Sequence, residues 1–369
     1  MRVLAFVSGA HPVHVAWFRS VGATILPTLV GHKILASFNI AFGAVLPKLV
    51  ALMFLLSKSC IKVFEKPVVE VLARRSLLAL GEGGGTLDYL KVAKDANPDV
   101  KTLLVSGDPI FYKLAMGKKI HYYRSMLRYV DYVIATSHYV RNLASKFIDS
   151  SRVKVVYPYP LHGCSPNEVD AEKHVASRGN VVLAYVGELS KLKGFDILLE
   201  AFKILVGKYN VNARLLIAGR GPLVKLLSKY LKLYRDKIVY CGYVNPKPIY
   251  KVAQLYVHPA RFDAFSISVV EAITCGCVPV ISRSTGAIDF LENTKVKSLL
   301  VLGKEDPEEL AHMIADIVLV RREHMLDELK MIRKLVYMKA NMYRSIQGFV
   351  KTIKDIICYE HQIKTLCIA

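Results

Sequence analysis

The stretch His258-Pro-Ala-Arg-Phe-Asp263-Ala-Phe-Ser266-Ile-Ser-Val-Val-Glu271-Ala-Ile-Thr-Cys-Gly276-Cys-Val-Pro-Val holds the residues best suited to chemistry. A strand is expected to end at His258-Pro259, a loop to carry Asp263, and a helix to start near Ser266. The first-turn N–H groups of a helix have no partner within it, so its N-terminus offers a site for a phosphate. Glu271 stands eight positions after Asp263, one to two turns into that helix. One carboxylate on the loop and one on the helix can each accept hydrogen bonds from the hydroxyls of a polyol. Taken alone, such a pair reads as an acid near a helix cap and a solvated helix residue; the surroundings reverse that reading.

A chain of 369 residues is too long for one small domain and suits two of ordinary size. With 53% hydrophobic and 22% charged residues it can bury large cores, which excludes a disordered chain. The formal charge of +21 argues for an anionic surface or ligand: nucleic acid, acidic lipid or phosphorylated small molecules. Seven cysteines, an odd count without a CxxC pair or zinc spacing, indicate neither a disulfide framework nor a structural metal, so reduced, intracellular thiols are expected. The N-terminus reads as a first strand rather than a secretory signal. Ile34 to Leu56 is apolar apart from Ser37, Asn39 and the Pro47-Lys48 break, and reads as a core or surface-docked helix rather than a membrane span.

Strand-like runs are expected at Val3–Val7, Ala23–Leu29, Val68–Leu72, Thr102–Val105, Tyr132–Thr136 and Val153–Val156, with helical stretches between most of them. Alternation of this kind implies βαβ units and a parallel sheet covered on both faces. Turn residues from Tyr157 to Asn167 and a polar stretch after them mark a boundary. The pattern restarts with strands at Val181–Val186, Arg214–Ala218, Ile238–Cys241, Leu255–His258 and Val278–Ile281. Helices are expected at Phe195–Tyr209, Pro222–Tyr234, Pro246–Val252 and Ser266–Cys275, and through most of Glu308–Ile357. The expected organisation is an N-terminal Rossmann-like domain over 1–165, a C-terminal one over 166–340, and a helical tail over 341–369. Such α/β pairs bind ligands in a cleft at the carboxyl ends of their sheets.

The 258–280 stretch resembles the signature of the retaining GT-B glycosyltransferases, glycosyltransferase family 4 in particular. That signature is Pro-Ser-x-x-Glu-Gly-Phe-Gly, Glu-Ala eight positions after the first Glu, then Gly-x-Pro-Val. Pro259, Phe265, Glu271, Ala272 and Gly276 match in register, and Pro279-Val280 follows with one extra residue. Asp263 stands for the first Glu, while Ala260, Ala264 and Ser266 replace the Ser and the two Gly. Upstream, Gly187-Glu-Leu-Ser-Lys191-Leu-Lys193-Gly194-Phe-Asp196 is similar to the family's Gly-Arg-Leu…Lys-Gly segment, with Glu188 where an Arg is usual. Leu216-Ile-Ala-Gly219-Arg-Gly221-Pro, Val239-Tyr-Cys-Gly242 and Ser284-Thr-Gly286-Ala-Ile-Asp289 resemble further family turns in the family's order. Together these segments cover residues 181–290.

The resemblance implies a GT-B fold, an α/β architecture of two Rossmann-like parallel-sheet domains facing a cleft. It also implies transfer of a hexose from a nucleotide-sugar, UDP- or GDP-linked, to a glycan or lipid-linked acceptor. Configuration would be retained, without a metal and without a protein nucleophile. Implied donor-side residues are Gly187, Lys191, Lys193, Gly219, Gly242, Phe265, Ser266, Ile267 and Glu271. Lys193 would meet the diphosphate, Asp263 the sugar hydroxyls, and Glu271 the ribose or the diphosphate end. N–H groups near Phe265 and Ser266 would stabilise the departing charge.

In the N-terminal half Asp131-Tyr-Val-Ile-Ala-Thr-Ser137 resembles a family strand, but Leu104-Val-Ser-Gly-Asp108-Pro has no His where many members carry one. Asp108 could take that polar, catalytic role. Gly9, His11 and His14 of the first loop are the acceptor-side candidates. Glu188 and the missing His keep open a non-catalytic scaffold that binds a sugar nucleotide or a partner, and a sugar-nucleotide epimerase is a third reading. Lys113, Lys118, Lys119, Arg124 and Arg128, with Tyr122, Tyr123 and Tyr129 among them, read either as a docking face or as a solvated helix face. The docking partner would be an anionic membrane surface or a phosphate-bearing acceptor. No RRM, KH or helix-turn-helix pattern supports nucleic acid, and a cytoplasmic or peripheral location is expected.

Overall fold

The computed structural model describes residues 3–8, 11–27, 66–168, 181–320 and 324–368. Contacts divide the chain into two units. Unit 1 is Met1–Thr136, Val140–Val156 and Ile346–Ala369, and unit 2 is Ser137–Tyr139 and Tyr157–Ser345. Gly9 and the apolar stretch 34–56 lie outside the described residues. Among the described residues no helix is long and apolar enough to cross a membrane.

Unit 1 starts with β1 (Val3–Val7), buried at all five positions, then α1 (Pro12–Ser20) and β2 (Ala23–Pro27). After α2 (66–73) come β3 (Leu78–Glu82), α3 (Leu87–Ala96), β4 (Lys101–Ser106), α4 (Ile110–Ala115) and α5 (Ile120–Leu127). Then follow β5 (Tyr132–Ala135), α6 (His138–Ala144, assigned in part to unit 2) and β6 (Val153–Val155). The strands form one six-stranded sheet in the order β2-β1-β3-β4-β5-β6, every pair parallel. Strands buried on both faces explain the continuous Val/Leu/Ile runs that made them legible.

One strand is placed differently from expectation. The run 68–72 is helical, and the strand beside β1 is Leu78–Glu82. Val68 and Val71, three apart, are 52% and 58% exposed, whereas Val69 and Ala73, four apart, are buried. That is the spacing of a helix face, which outweighs the β-branched composition.

Unit 2 repeats the architecture. Its elements are β7 (Val181–Val186), α7 (Phe195–Gly207), β8 (Ala213–Ala218), α8 (Val224–Leu233), β9 (Ile238–Gly242), α9 (Lys247–Val252), β10 (Leu255–His258), α10 (Ile267–Thr274) and β11 (Val278–Ser282). There follow α11 (Lys297–Leu300), β12 (Val301–Leu302), α12 (Pro307–Leu319) and α13 (His324–Lys339). The parallel sheet runs β12-β11-β10-β7-β8-β9. Its core buries Tyr185, Phe195, Phe202, Tyr250 and Tyr256.

The last helix, α14 (Met342–Ile368), was expected as a separate tail. From Ile346 onward it belongs to unit 1, where Phe349 stacks on Trp17 of α1 at 5.2 Å, both rings fully buried. The linker Tyr157–Ser165, expected with the N-terminal domain, packs with unit 2.

Candidate functional site

All six strands of unit 2 point their carboxyl ends to one edge, where open α/β sheets bind ligands. Three expected glycines lie there side by side. The Gly187 N–H donates to the Ala218 carbonyl at 3.0 Å, and the Gly219 N–H to the Gly242 carbonyl at 2.7 Å. These bonds tie together the ends of β7, β8 and β9. A Cβ on Gly219 would sit 1.8 Å from the Gly187 carbonyl oxygen, so the residue has to be glycine.

The loop between β7 and α7 lies against the loop after β10. The backbone N–H of Arg261 donates to the Leu192 carbonyl at 2.9 Å. The Arg261 guanidinium grips Asp196 with two bonds of 2.8 and 3.0 Å. Gly194, at φ +67°, begins α7 so close to Pro259 that a Cβ would fall 1.8 Å from its carbonyl oxygen. This contact carries Lys193 to Asp263, with Nζ 2.7 Å from Oδ2. His258 Nε2 reaches the same oxygen at 3.0 Å.

Asp263 also caps the next helix, its Oδ1 accepting the Ser266 N–H at 3.0 Å. Burial opposes its ionisation, but Lys193 and His258 outweigh burial and hold the carboxyl well below the usual range. Lys193, Asp263, Ser266 and the start of α10 are thus brought together, with Ile267 as the first helical residue. Ser266 has a left-handed backbone, φ +63°, at the position where the resembling signature has glycine. Its hydroxyl contacts the Thr285 hydroxyl. Phe265 is buried against Tyr157 and Phe290. Lys191 and Glu188 are exposed.

Two expectations change here. Glu271 was expected to face the ribose or diphosphate, yet it is 4% exposed and holds the linker. Its Oε1 accepts the N–H groups of Leu161 at 3.0 Å and His162 at 2.8 Å, and its Oε2 accepts the Tyr250 hydroxyl at 3.0 Å. Burial raises its pKa against those hydrogen bonds. The linker takes one oxygen and Tyr250 of α9 the other, so neither is left for a donor.

The thiols were expected reduced, yet Cys164 of the linker is bonded to Cys275 just beyond α10, with Cα atoms 4.8 Å apart. The two cysteines stand 111 residues apart in sequence, a separation that spacing rules do not detect. The Thr274 hydroxyl accepts the Cys164 N–H at 3.1 Å, and the Tyr337 hydroxyl donates to the Cys164 carbonyl at 2.7 Å. Cys277 is a free, buried thiol.

Unit 1 has its own polar group at the carboxyl ends of β1, β3 and β4. His14 Nδ1 lies 2.9 Å from Glu82 Oε1, and the His11 N–H donates to the same oxygen at 3.0 Å. Asp108 Oδ2 accepts the Gly84 N–H at 2.8 Å, and burial raises its pKa against that bond. The Ser8 hydroxyl donates to the Glu82 carbonyl at 3.0 Å. His11, His14 and Asp108 therefore share one strand edge. Glu82, which joins the two histidines, was not singled out in the sequence; the signal was the glycine run Gly83–Gly85 directly after it. His258 was likewise read only as a strand end. Among the described residues there is no group of three or more His, Cys, Asp or Glu suited to a metal ion.

Residues 167–330 match the family model described as glycosyl transferases group 1. An uncharacterized glycosyltransferase of Methanocaldococcus jannaschii is 30% identical over 176 residues, 43% of each chain. The capsular polysaccharide biosynthesis glycosyltransferase CapM of Staphylococcus aureus is 30% identical over 157 residues, 41% of this chain and 40% of that one. A GDP-mannose-dependent alpha-(1-6)-phosphatidylinositol dimannoside mannosyltransferase of Mycobacterium tuberculosis is 25% identical over 194 residues, 51% of this chain and 49% of that one. The chain thus spans about half the length of the curated relatives it matches, or less. The structure of Anabaena HepE with UDP-glucose superposes with a TM-score of 0.69 at 17% identity, covering 96% of this chain and 100% of that one. The sucrose-phosphate synthase of Thermosynechococcus elongatus gives 0.68 at 13% identity, with 97% and 100% covered. The chain has the GT-B fold, and its residues 167–330 match the group 1 glycosyl transferases.

Proposed function

We propose that the protein is a nucleotide-sugar-dependent glycosyltransferase that moves a hexose to a glycan or lipid-linked acceptor with retention and without a metal. The observation that carries this reading is the Lys193–Asp263–His258 cluster beside the start of α10, inside the region that matches the group 1 family. Lys193 is the cation for the departing diphosphate, and the first turn of α10 adds its dipole. Asp263 accepts from sugar hydroxyls once the donor draws Lys193 onto phosphate. Exchanging a carboxylate for a diphosphate keeps the ammonium paired, and Asp263 keeps His258 and the Ser266 N–H as partners and gains the sugar hydroxyls. The strand-end glycines 187, 219 and 242 let the nucleotide approach backbone. No step needs a metal, because lysine and helix dipole supply the positive charge.

On unit 1, His11, His14 and Asp108 hold the acceptor. A UDP- or GDP-sugar donor is supported by the similar proteins, one bound to UDP-glucose and one GDP-mannose-dependent. Relatives named for capsular polysaccharide and for phosphatidylinositol dimannoside support the two acceptor types. The test is thermal unfolding with UDP, GDP and ADP and their common sugars, on wild type and Lys193→Ala. A ligand at about 100 times its Kd stabilises by about 2.7 kcal/mol. A shift of several degrees with one base, lost in Lys193→Ala, is expected; no shift with any nucleotide refutes donor binding.

A further inference from the structure

The sequence from Pro109 to Val130 contains five Lys or Arg residues and no Asp or Glu. The structure folds it as α4, a turn, and α5. Lys118, Lys119, His121, Arg124 and Arg128 are exposed, and Lys113 is half-buried. The turn reverses through two left-handed residues, Gly117 at φ +71° and Lys119 at φ +52°. At its tip Met116 is 58% exposed, and Tyr122 of the first turn of α5 is 42% exposed. Beneath this layer Phe111, Leu114, Tyr123 and Leu127 anchor both helices in the core.

We propose that the α4–α5 surface docks unit 1 on an acidic lipid bilayer. Two features select a bilayer. The outward face carries only positive charge, which anionic headgroups complement. Within that face stand a thioether and a phenol, side chains suited to the boundary between headgroups and acyl chains. The neighbouring acids leave the face strongly positive: Asp88 of α3, which accepts the Tyr122 hydroxyl, is one negative charge against five cations, and Asp95 is paired with Lys91 at 2.5 Å. Asp108 lies beside Lys113 and Tyr123 on the inner side. Because α4 begins two residues after Asp108, docking brings the edge with Asp108, Glu82 and His14 toward the headgroups. The link to a lipid-borne acceptor rests on the glycosyltransferase reading; the docking itself does not.

The test is co-sedimentation of the full chain with phosphatidylcholine vesicles, with and without phosphatidylglycerol. The critical variant is Lys118→Gln/Lys119→Asn/Arg124→Gln/Arg128→Gln, with Asn chosen because it tolerates the left-handed backbone. Its control is Lys225→Gln/Lys229→Gln/Lys232→Gln/Arg235→Gln on α8 and the turn after it, also exposed and with the same change in net charge. The critical variant and the control, with four substitutions each, are both checked for unchanged melting. Each neutralised charge is expected to weaken partitioning about fivefold, so the critical variant loses several hundredfold while the control stays within a few-fold of wild type. Binding should also fall as salt shortens the Debye length to about 3 Å at 1 M. Met116→Ser should lower what binding persists at high salt. Absence of vesicle binding, equal binding to neutral vesicles, or equal losses in variant and control would each overturn the proposal. So would stronger capture by a single-stranded oligonucleotide that the critical variant abolishes. A protein that docks on vesicles yet shows no nucleotide shift would refute the catalytic reading and leave the docking standing.

Discussion

Replacing Glu271 by Ala separates a clamp on the linker from a direct ligand of the donor. The substitution strands the Tyr250 hydroxyl, in a residue with no exposed surface, at about 1–3 kcal/mol. The N–H groups of Leu161 and His162 belong to exposed residues, so water takes over and each loss is about 0.5–1 kcal/mol. The void left by the removed carboxyl adds about 1 kcal/mol, and relief of the buried charge returns part of the total. A net loss of about 3 kcal/mol follows, which in a unit of 150–250 residues lowers Tm by about 6–12 °C. Glu271→Gln keeps an acceptor for the two N–H groups and should cost about 1 kcal/mol. Differential scanning calorimetry of the three proteins, with the disulfide intact, measures this. A Tm for Glu271→Ala within about 2 °C of wild type would refute the clamp. Loss of the nucleotide shift at unchanged Tm would return the carboxylate to the donor.

Asp263 gives a pH signature. Its folded pKa lies below the ordinary value of 3.8, so its stabilisation is present above about 3.8 and is lost as pH falls through the lower folded value. Glu271, raised from 4.5, has the opposite sign, its contribution being present below about 4.5 and lost as pH rises through the folded value, and it is common to both proteins compared. Urea midpoints taken downward from about pH 5 should fall more steeply for wild type than for Asp263→Asn, and parallel curves would contradict the assignment. The disulfide closes a loop of 111 residues, for which chain entropy gives about 4.7 kcal/mol and typical bridges about 2–4. Cys164→Ser should therefore lower the Tm of unit 2 by several degrees, and wild type unfolded with dithiothreitol should match it; melting indifferent to both would rule the bridge out.

Much of the fold could be read from the chain because strands buried on both faces are continuous apolar runs. Val3–Val7, Val181–Val186 and Leu255–His258 have the expected bounds. Val68–Leu72 misled for the same reason: Val and Leu dominate it, and only the burial of Val69 and Ala73 shows the helical spacing. The glycines were legible because close backbone approach admits no other residue, as at Gly194. Ser266 shows the same constraint kept without glycine. Partnership was harder to read. Lys193 and Asp263 are 70 residues apart, and nothing in either motif says that one pairs with the other. Glu271 stood in register with a donor-binding residue, yet a linker 110 positions earlier took one of its oxygens and Tyr250 the other. The Cys164–Cys275 bridge arises from that same linker and was equally hidden.

The return of α14 to the first unit has a consequence for synthesis. Unit 2 is an insertion between two parts of unit 1, so the ribosome finishes the second unit before the first. While residues 157–345 emerge, Trp17 and Phe18 have no Phe349 to pack on, and that side of α1 stays uncovered. Domains that fold as they emerge would here complete in reverse order, unit 2 ahead of unit 1. A nascent chain halted before Ile346 would present a finished second unit and an unsealed first one, the species that a chaperone would hold.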